Sequence, residues 1–204
     1  MSARVTWQAT RSGARRSAAS TRSVASNSDQ LLDAAGEAFW GSLTRQVSLD
    51  EVARRAGVTV QTVIRRFGGR DGLLAAAVKR EADRVARQRD QAPIGDVTRA
   101  IQVLAEHYEG VGDRVLKMLA EEDRAPGLRD IADRGRRFHR DWCARVFAPA
   151  LERRVGVSRE RRLAQLVAVC DVYTWKLLRR DSGLSRRQTE LALVELLQPL
   201  LEET

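Results

Sequence analysis

From about residue 27 onward, apolar positions recur three and four residues apart and strand-like alternation is absent. That period predicts helices throughout. Leu31, Leu32, Ala35, Ala38 and Phe39 form one face of a helix over 29–40. A second helix starts at Ser48, where Ser48-Leu49-Asp50-Glu51 has the form of a capping box. Leu49, Val52, Ala53 and Ala56 are its inward stripe, and Gly57 ends it. Thr59 caps a third helix over 60–67, with Val63 and Phe67 inward. Gly68-Gly69 breaks the chain before a fourth helix over 71–90.

The second half repeats this style at greater length. Asp96 caps a helix carrying Val97, Ile101, Leu104 and Tyr108 on one face. Gly110 and Gly112 punctuate it, so a separate short helix is expected over 113–123. After Pro126-Gly127, the residues Leu128, Ile131, Gly135, Phe138, Trp142 and Val146 make a long stripe, which Pro149 should kink or end. Ser158 opens a helix reaching about residue 180. Gly183 follows, and Ser185-Arg186-Arg187-Gln188 is a second capping box before a last helix to about residue 201.

Composition narrows the class. The chain has 204 residues, of which 43% are hydrophobic, enough to bury a core. The net charge is +9, and only Lys79, Lys117 and Lys176 among the cations are not arginine. Residues 1–26 hold Arg4, Arg11, Arg15, Arg16 and Arg22 and no acid, so more than half of the excess lies there. This Ser/Ala/Arg-rich leader reads as a disordered basic arm able to contact phosphates. It also resembles an organelle transit peptide, but it has no secretory apolar stretch. Cys143 and Cys170 are too few for a disulfide scaffold, and no CxxC pair supports a zinc ribbon. No apolar run approaches the ~18 residues of a membrane span. The expectation is a cytoplasmic protein with no cofactor and no membrane partner.

Two short helices joined by a Gly-containing turn form a helix-turn-helix pattern. In that arrangement the second helix enters the major groove. Its outward residues are then Thr59, Val60, Gln61, Thr62, Ile64, Arg65 and Arg66, with Ser48 and Arg70 placed for the backbone. Gln61 suits an adenine edge. Arg65 or Arg66 suits guanine or phosphate, and Val60, Ile64 and the Thr62 methyl suit thymine methyls. A generic αα-hairpin with a solvated basic end has the same shape.

The run LLDAAGEAFW…SLDEVARRAGVTVQTVIRRFGGRDGLLAAAV, over about residues 28–90, resembles the DNA-binding domain of TetR-family (tetracycline-repressor-like) regulators. Where that family usually has a Gly-aromatic pair before the second helix, this chain has Leu43-Thr44. The family's common recognition-helix Tyr falls at Ile64, the aromatic or His beside the final Phe at Arg66, and the Pro after it at Gly68. Arg65 and Arg66 are placed to replace the phosphate contact of the Tyr.

The resemblance implies an all-α fold: an N-terminal three-helix helix-turn-helix domain and a C-terminal helical bundle for ligand binding and dimerisation. The boundaries expected are a 1–26 arm, 27–70 for DNA binding, 71–92 for a connecting helix and 93–204 for the bundle. It further implies a homodimer on double-stranded DNA with a near-palindromic operator, acting as a repressor released by a small-molecule effector. Dimer candidates are Leu166, Tyr173, Leu177, Leu191, Val194, Leu197 and Leu201; the last helix is apolar on more than one face, as a helix with two partners must be. Ligand candidates are Tyr108, Phe138, His139, Trp142, Cys143, Tyr173 and Trp175, although an aromatic stripe at this spacing also describes plain core.

Other classes find less support. The chain has two His and no nucleophile-elbow, P-loop or zinc-protease motif in its proper context. His139 and Cys143, spaced i and i+4, could share a metal with His107 only given a fourth ligand. A small metal enzyme using Glu109, Asp113, His107 or His139 is the weaker competitor. The stronger one is a non-specific, architectural nucleic-acid binder driven by the basic arm.

Overall fold

The computed structural model describes residues 28–41, 48–124 and 127–202. The leader, with the basic arm read into it, and Leu43-Thr44 lie outside the described residues. The described chain is helical, and no strand occurs within it. It forms two compact units, one ending at Glu81 and one beginning at Ala82.

The first unit holds α1 (28–41), α2 (Leu49–Arg55), α3 (Val60–Phe67) and the first part of α4 (Arg70–Arg89). Leu31, Ala34 and Ala35 of α1 meet Val52, Ala53, Val63 and Leu73 in one apolar core. Gly57, at φ 66°, makes the turn between α2 and α3. There Val58 N donates to Ala53 O at 3.0 Å, satisfying a terminal carbonyl of α2. Gly68, also left-handed, ends α3. Arg80 ties α4 to α1 through the Asp29 carbonyl at 2.8 Å and the Asp33 carboxylate.

The expected capping box at Ser48 does not form. Ser48 is the N-cap of α2, but its side chain makes no capping bond. Glu51 turns forward instead, to Arg55 at 2.6 Å and to Arg54. Two guanidiniums on the next turn outcompete one backbone N–H for the carboxylate, and they hold the Glu51 carboxyl below its usual range.

The second unit is built around α5 (Val97–Glu121), which packs against α6 (Leu128–Val146), α9 (Val172–Lys176) and α10 (Arg186–Leu201), while α8 (Gly156–Val169) lies against α6 and α10. Asp96 caps α5, accepting from Arg99 N at 2.9 Å. Two expectations change here, and one holds. Gly110 and Gly112 do not divide α5, which runs unbroken for 25 residues. α6 ends at Val146 with a break at Phe147, and Pro149 sits in the first turn of the next helix, α7 (Ala148–Glu152), where a missing N–H costs nothing. The helix expected from Ser158 begins at Gly156 and breaks at Cys170-Asp171. Asp171 restarts the chain as the N-cap of α9, accepting from Tyr173 N at 2.9 Å. A π-helical turn, Leu177–Asp181, follows. It delivers Arg179 to Glu109 at 2.7 Å and Arg180 to Asp113 at 3.1 Å on α5. The box at Ser185 and Gln188 forms in both directions.

Candidate nucleic-acid interface

The candidate recognition helix, α3, is short and held by a single deep anchor. Val63 is fully buried, and Val60 and Phe67 pack at the margin of the same core. This fixes the opposite face outward. Gln61 and Arg65 are exposed, and Ile64 keeps 41% of its surface in water although nothing polar recommends it there. An exposed β-branched side chain between polar neighbours suits a thymine methyl. Thr59 caps the helix: its Oγ1 accepts from Thr62 N at 3.2 Å and lies 2.9 Å from Thr62 Oγ1. Both hydroxyls are therefore positioned before any ligand arrives.

Charge follows the same geometry. Residues 52–70 contain five arginines and no acid. Arg54 and Arg55 are spoken for by Glu51, and Arg66 is half-buried and engaged within the chain. Arg65 projects from the last turn of α3. Arg70 opens α4, 3.7 Å from Asp71, with its Nε unpartnered. Ser48, exposed and free of a capping duty, stands at the N-terminus of α2, where an oxygen of a phosphate is favoured.

Residues 31–77 match the family model described as bacterial regulatory proteins, tetR family. The matched residues run from α1 into α4 and take in both helices of the helix-turn-helix. No curated protein matches the chain in sequence. Two solved structures share its fold. One is a transcriptional regulator from Rhodococcus sp. Rha1, 21% identical, covering 85% of this chain and 95% of its own at a TM-score of 0.61. The other, described as a TetR-family transcriptional regulator from Rhodococcus sp., is 18% identical, covering 86% and 99%, also at 0.61. The likeness in fold therefore extends across both helical units.

Within the second unit the structure gathers some of the ligand candidates and separates others. Tyr108, Trp142, Cys143 and Trp175 are buried in one core, with His139 half-buried beside them. Phe138 is half-buried, and Tyr173 faces out. Tyr108 donates to Cys170 O at 3.0 Å, and burial pushes its hydroxyl's pKa up. A separate cleft of about 160 Å³, lined by residues including Val97, Phe147, Pro149 and Leu201, contains none of the ligand candidates. No group of three or more His, Cys, Asp or Glu among the described residues converges to hold a metal. Glu109 and Asp113 are ion-paired with Arg179 and Arg180.

The dimer candidates divide likewise. Leu166 and Leu197 belong to the chain's own core, and Val194 and Leu201 are half-buried. Tyr173, Leu177 and Leu191 are each more than half exposed, and so nearly is Leu196, another apolar residue of the last helix. No helix of the described residues is long and apolar enough to cross a membrane. One functional candidate was missed altogether. Arg89, which the sequence did not single out, is buried among Tyr108, His139 and Trp142.

Proposed function

We propose that the protein is a ligand-responsive repressor that binds a near-palindromic DNA operator as a homodimer. The observation that carries the DNA-binding part is the outward face of α3: Gln61, Ile64 and Arg65 lie exposed on a helix whose other side is pinned by Val63. Gln61 reads an adenine edge, Ile64 a thymine methyl, and Arg65 guanine or phosphate. Ser48, Thr59 and Arg70 set the register on the backbone.

Dimerisation is supported by the apolar side chains left in water on α9, the π turn and α10, namely Tyr173, Leu177, Leu191 and Leu196. Large exposed apolar side chains clustered on neighbouring elements mark an association surface. One helix-turn-helix makes few base contacts, and two copies reading successive major grooves supply the rest. An effector acts by binding one arrangement of the second unit better than another.

The test is selection from randomised duplexes at near-physiological salt. Enrichment of an inverted repeat is expected, and Gln61→Ala with Arg65→Ala should flatten it. Retention without any sequence preference, with a salt slope that collapses on removing residues 1–26, would favour the architectural binder instead.

A further inference from the structure

The second unit buries a cation that no carboxylate among the described residues matches. Arg89, the last residue of α4, is only 2% exposed. Its guanidinium stacks on Trp142, with Cζ 4.0 Å from the ring centroid, and Nη2 donates to His139 Nδ1 at 2.9 Å. Among the described residues no carboxylate lies within ion-pair distance of it, and its Nε has no hydrogen-bond partner. A guanidinium can only donate, so His139 Nδ1 accepts and the ring proton sits on Nε2, facing Val167 O at 3.3 Å.

Two more buried ring nitrogens nearby lack partners, His107 Nδ1 and Trp175 Nε1. Their rings flank Tyr108, with centroids 5.3 and 5.7 Å away. The Tyr108 hydroxyl is already committed to Cys170 O. Burial, then the charges of Arg89, Arg84 and His139, push the His107 pKa down to about 3, so it stays neutral. Asp171 bears on Tyr108 and Cys170, but its carboxylate caps α9. Cys143 is drawn toward its thiolate first by a hydrogen bond from Cys170 and then by His139. Arg89 itself also draws it that way, and the polar group between them is His139, whose Nε2 is 3.8 Å from Sγ. Among the described residues the cage thus offers Arg89 no carboxylate, and the guanidinium Nε has no acceptor. A buried charge without a counter-charge is strongly unfavourable.

We propose that this cage binds a small organic carboxylate, held on the free Nε edge of Arg89 with its apolar body among Trp142, Tyr108 and Trp175. The inference rests on the ligand-responsive reading and names the class of its effector. A guanidinium edge matches a carboxylate in a planar, two-bond arrangement. One buried cation balances a monoanion; a phosphate dianion would need a second. The cage is closed around Arg89 in the free chain, so binding selects an opened arrangement.

The test uses the full chain with benzoate, phenylacetate and hexanoate, each beside its neutral carboxamide and matched sodium chloride. At least one carboxylate should raise the Tm with concentration while its amide does not. Arg89→Gln should weaken that response at least about thirtyfold. Its own Tm should hold or rise, because a buried charge has gone. In the wild type, NMR titration should show the His107 pKa rising when the carboxylate binds. Absence of any carboxylate effect beyond amide and salt overturns the proposal, as does an unchanged response in Arg89→Gln. A large loss of stability in Cys143→Ser without any carboxylate response would assign the counter-charge to that thiolate and also overturn it. Operator release by a neutral compound alone would remove the carboxylate and keep the regulation. Carboxylate binding with an indifferent operator complex would do the reverse.

Discussion

The indole of Trp175 lies against Gly112: a Cβ built on that glycine would stand 2.6 Å from Cζ3 and 2.8 Å from Cη2 of the ring. Trp175 is fully buried, on a helix of only five residues, and Gly112 lets α5 come close enough to cover it. Gly112→Ala should therefore destabilise the second unit by about 1–3 kcal/mol through overpacking, despite the better helix propensity of alanine. Gly110, two residues away, has nothing within 4 Å of its would-be Cβ. Gly110→Ala should stabilise by about 0.5–1 kcal/mol. Urea unfolding of the two variants, read by tryptophan fluorescence, should give shifts of opposite sign.

Ser48 and Ser185 stand at the head of the same sequence pattern but do different work. Ser185 accepts from Gln188 N at 3.3 Å, and Gln188 Oε1 accepts from Ser185 N at 3.0 Å. Ser185→Ala should cost about 1 kcal/mol. Ser48 makes no capping bond, so Ser48→Ala should cost less than about 0.5 kcal/mol. Ser48→Ala should nevertheless weaken DNA binding, uniformly across sequences, if the hydroxyl meets a phosphate. Denaturant midpoints and operator affinities of both variants check the contrast.

Gln61 is exposed and well placed for a base edge, whereas Arg65 carries a charge. Gln61→Ala should relax discrimination at one base pair by about 1–3 kcal/mol while leaving the salt dependence unchanged. Arg65→Ala should lower the slope of log K against log salt by about one contact if its partner is phosphate. Binding titrations over a salt series with single-base operator variants separate the two.

Burial, with Arg89, Arg84 and His139 as further contributors, brings the His107 pKa to about 3 from an ordinary 6.5. The folded state thus refuses a proton that the unfolded chain accepts below pH 6.5. Its contribution to stability is complete above pH 6.5 and falls as pH drops toward 3, with a slope approaching about 1.4 kcal/mol per pH unit. Unfolding free energy measured from pH 7.5 to 4 should show this decline. His107→Asn should remove it, leaving the shallower dependence of the carboxylates.

What the sequence determined by itself is what lies within a few residues of each position. The periodic faces of α2, α3 and α10, the caps Thr59, Asp96 and Ser185, and the turn at Gly57 follow from i, i+3 and i+4 geometry, and the chain bears them out. The family-like run over residues 28–90 belongs to the same local order. Tertiary structure decided everything that depends on a distant partner. Gly112 looks like a helix breaker until Trp175, 63 positions on, needs its surface. Glu51 looks like a cap until the arginines of the next turn take it. The break at Asp171 is marked locally by one capping residue, but a continuous apolar pattern conceals it. Nothing near Arg89 in the sequence marks it for burial, and only the approach of α6, with Trp142 donating to its carbonyl at 2.9 Å, draws the guanidinium inside. Hydrophobic period reports which face turns inward. It does not report what waits there, because the free energy of burying a polar group depends on the groups it meets.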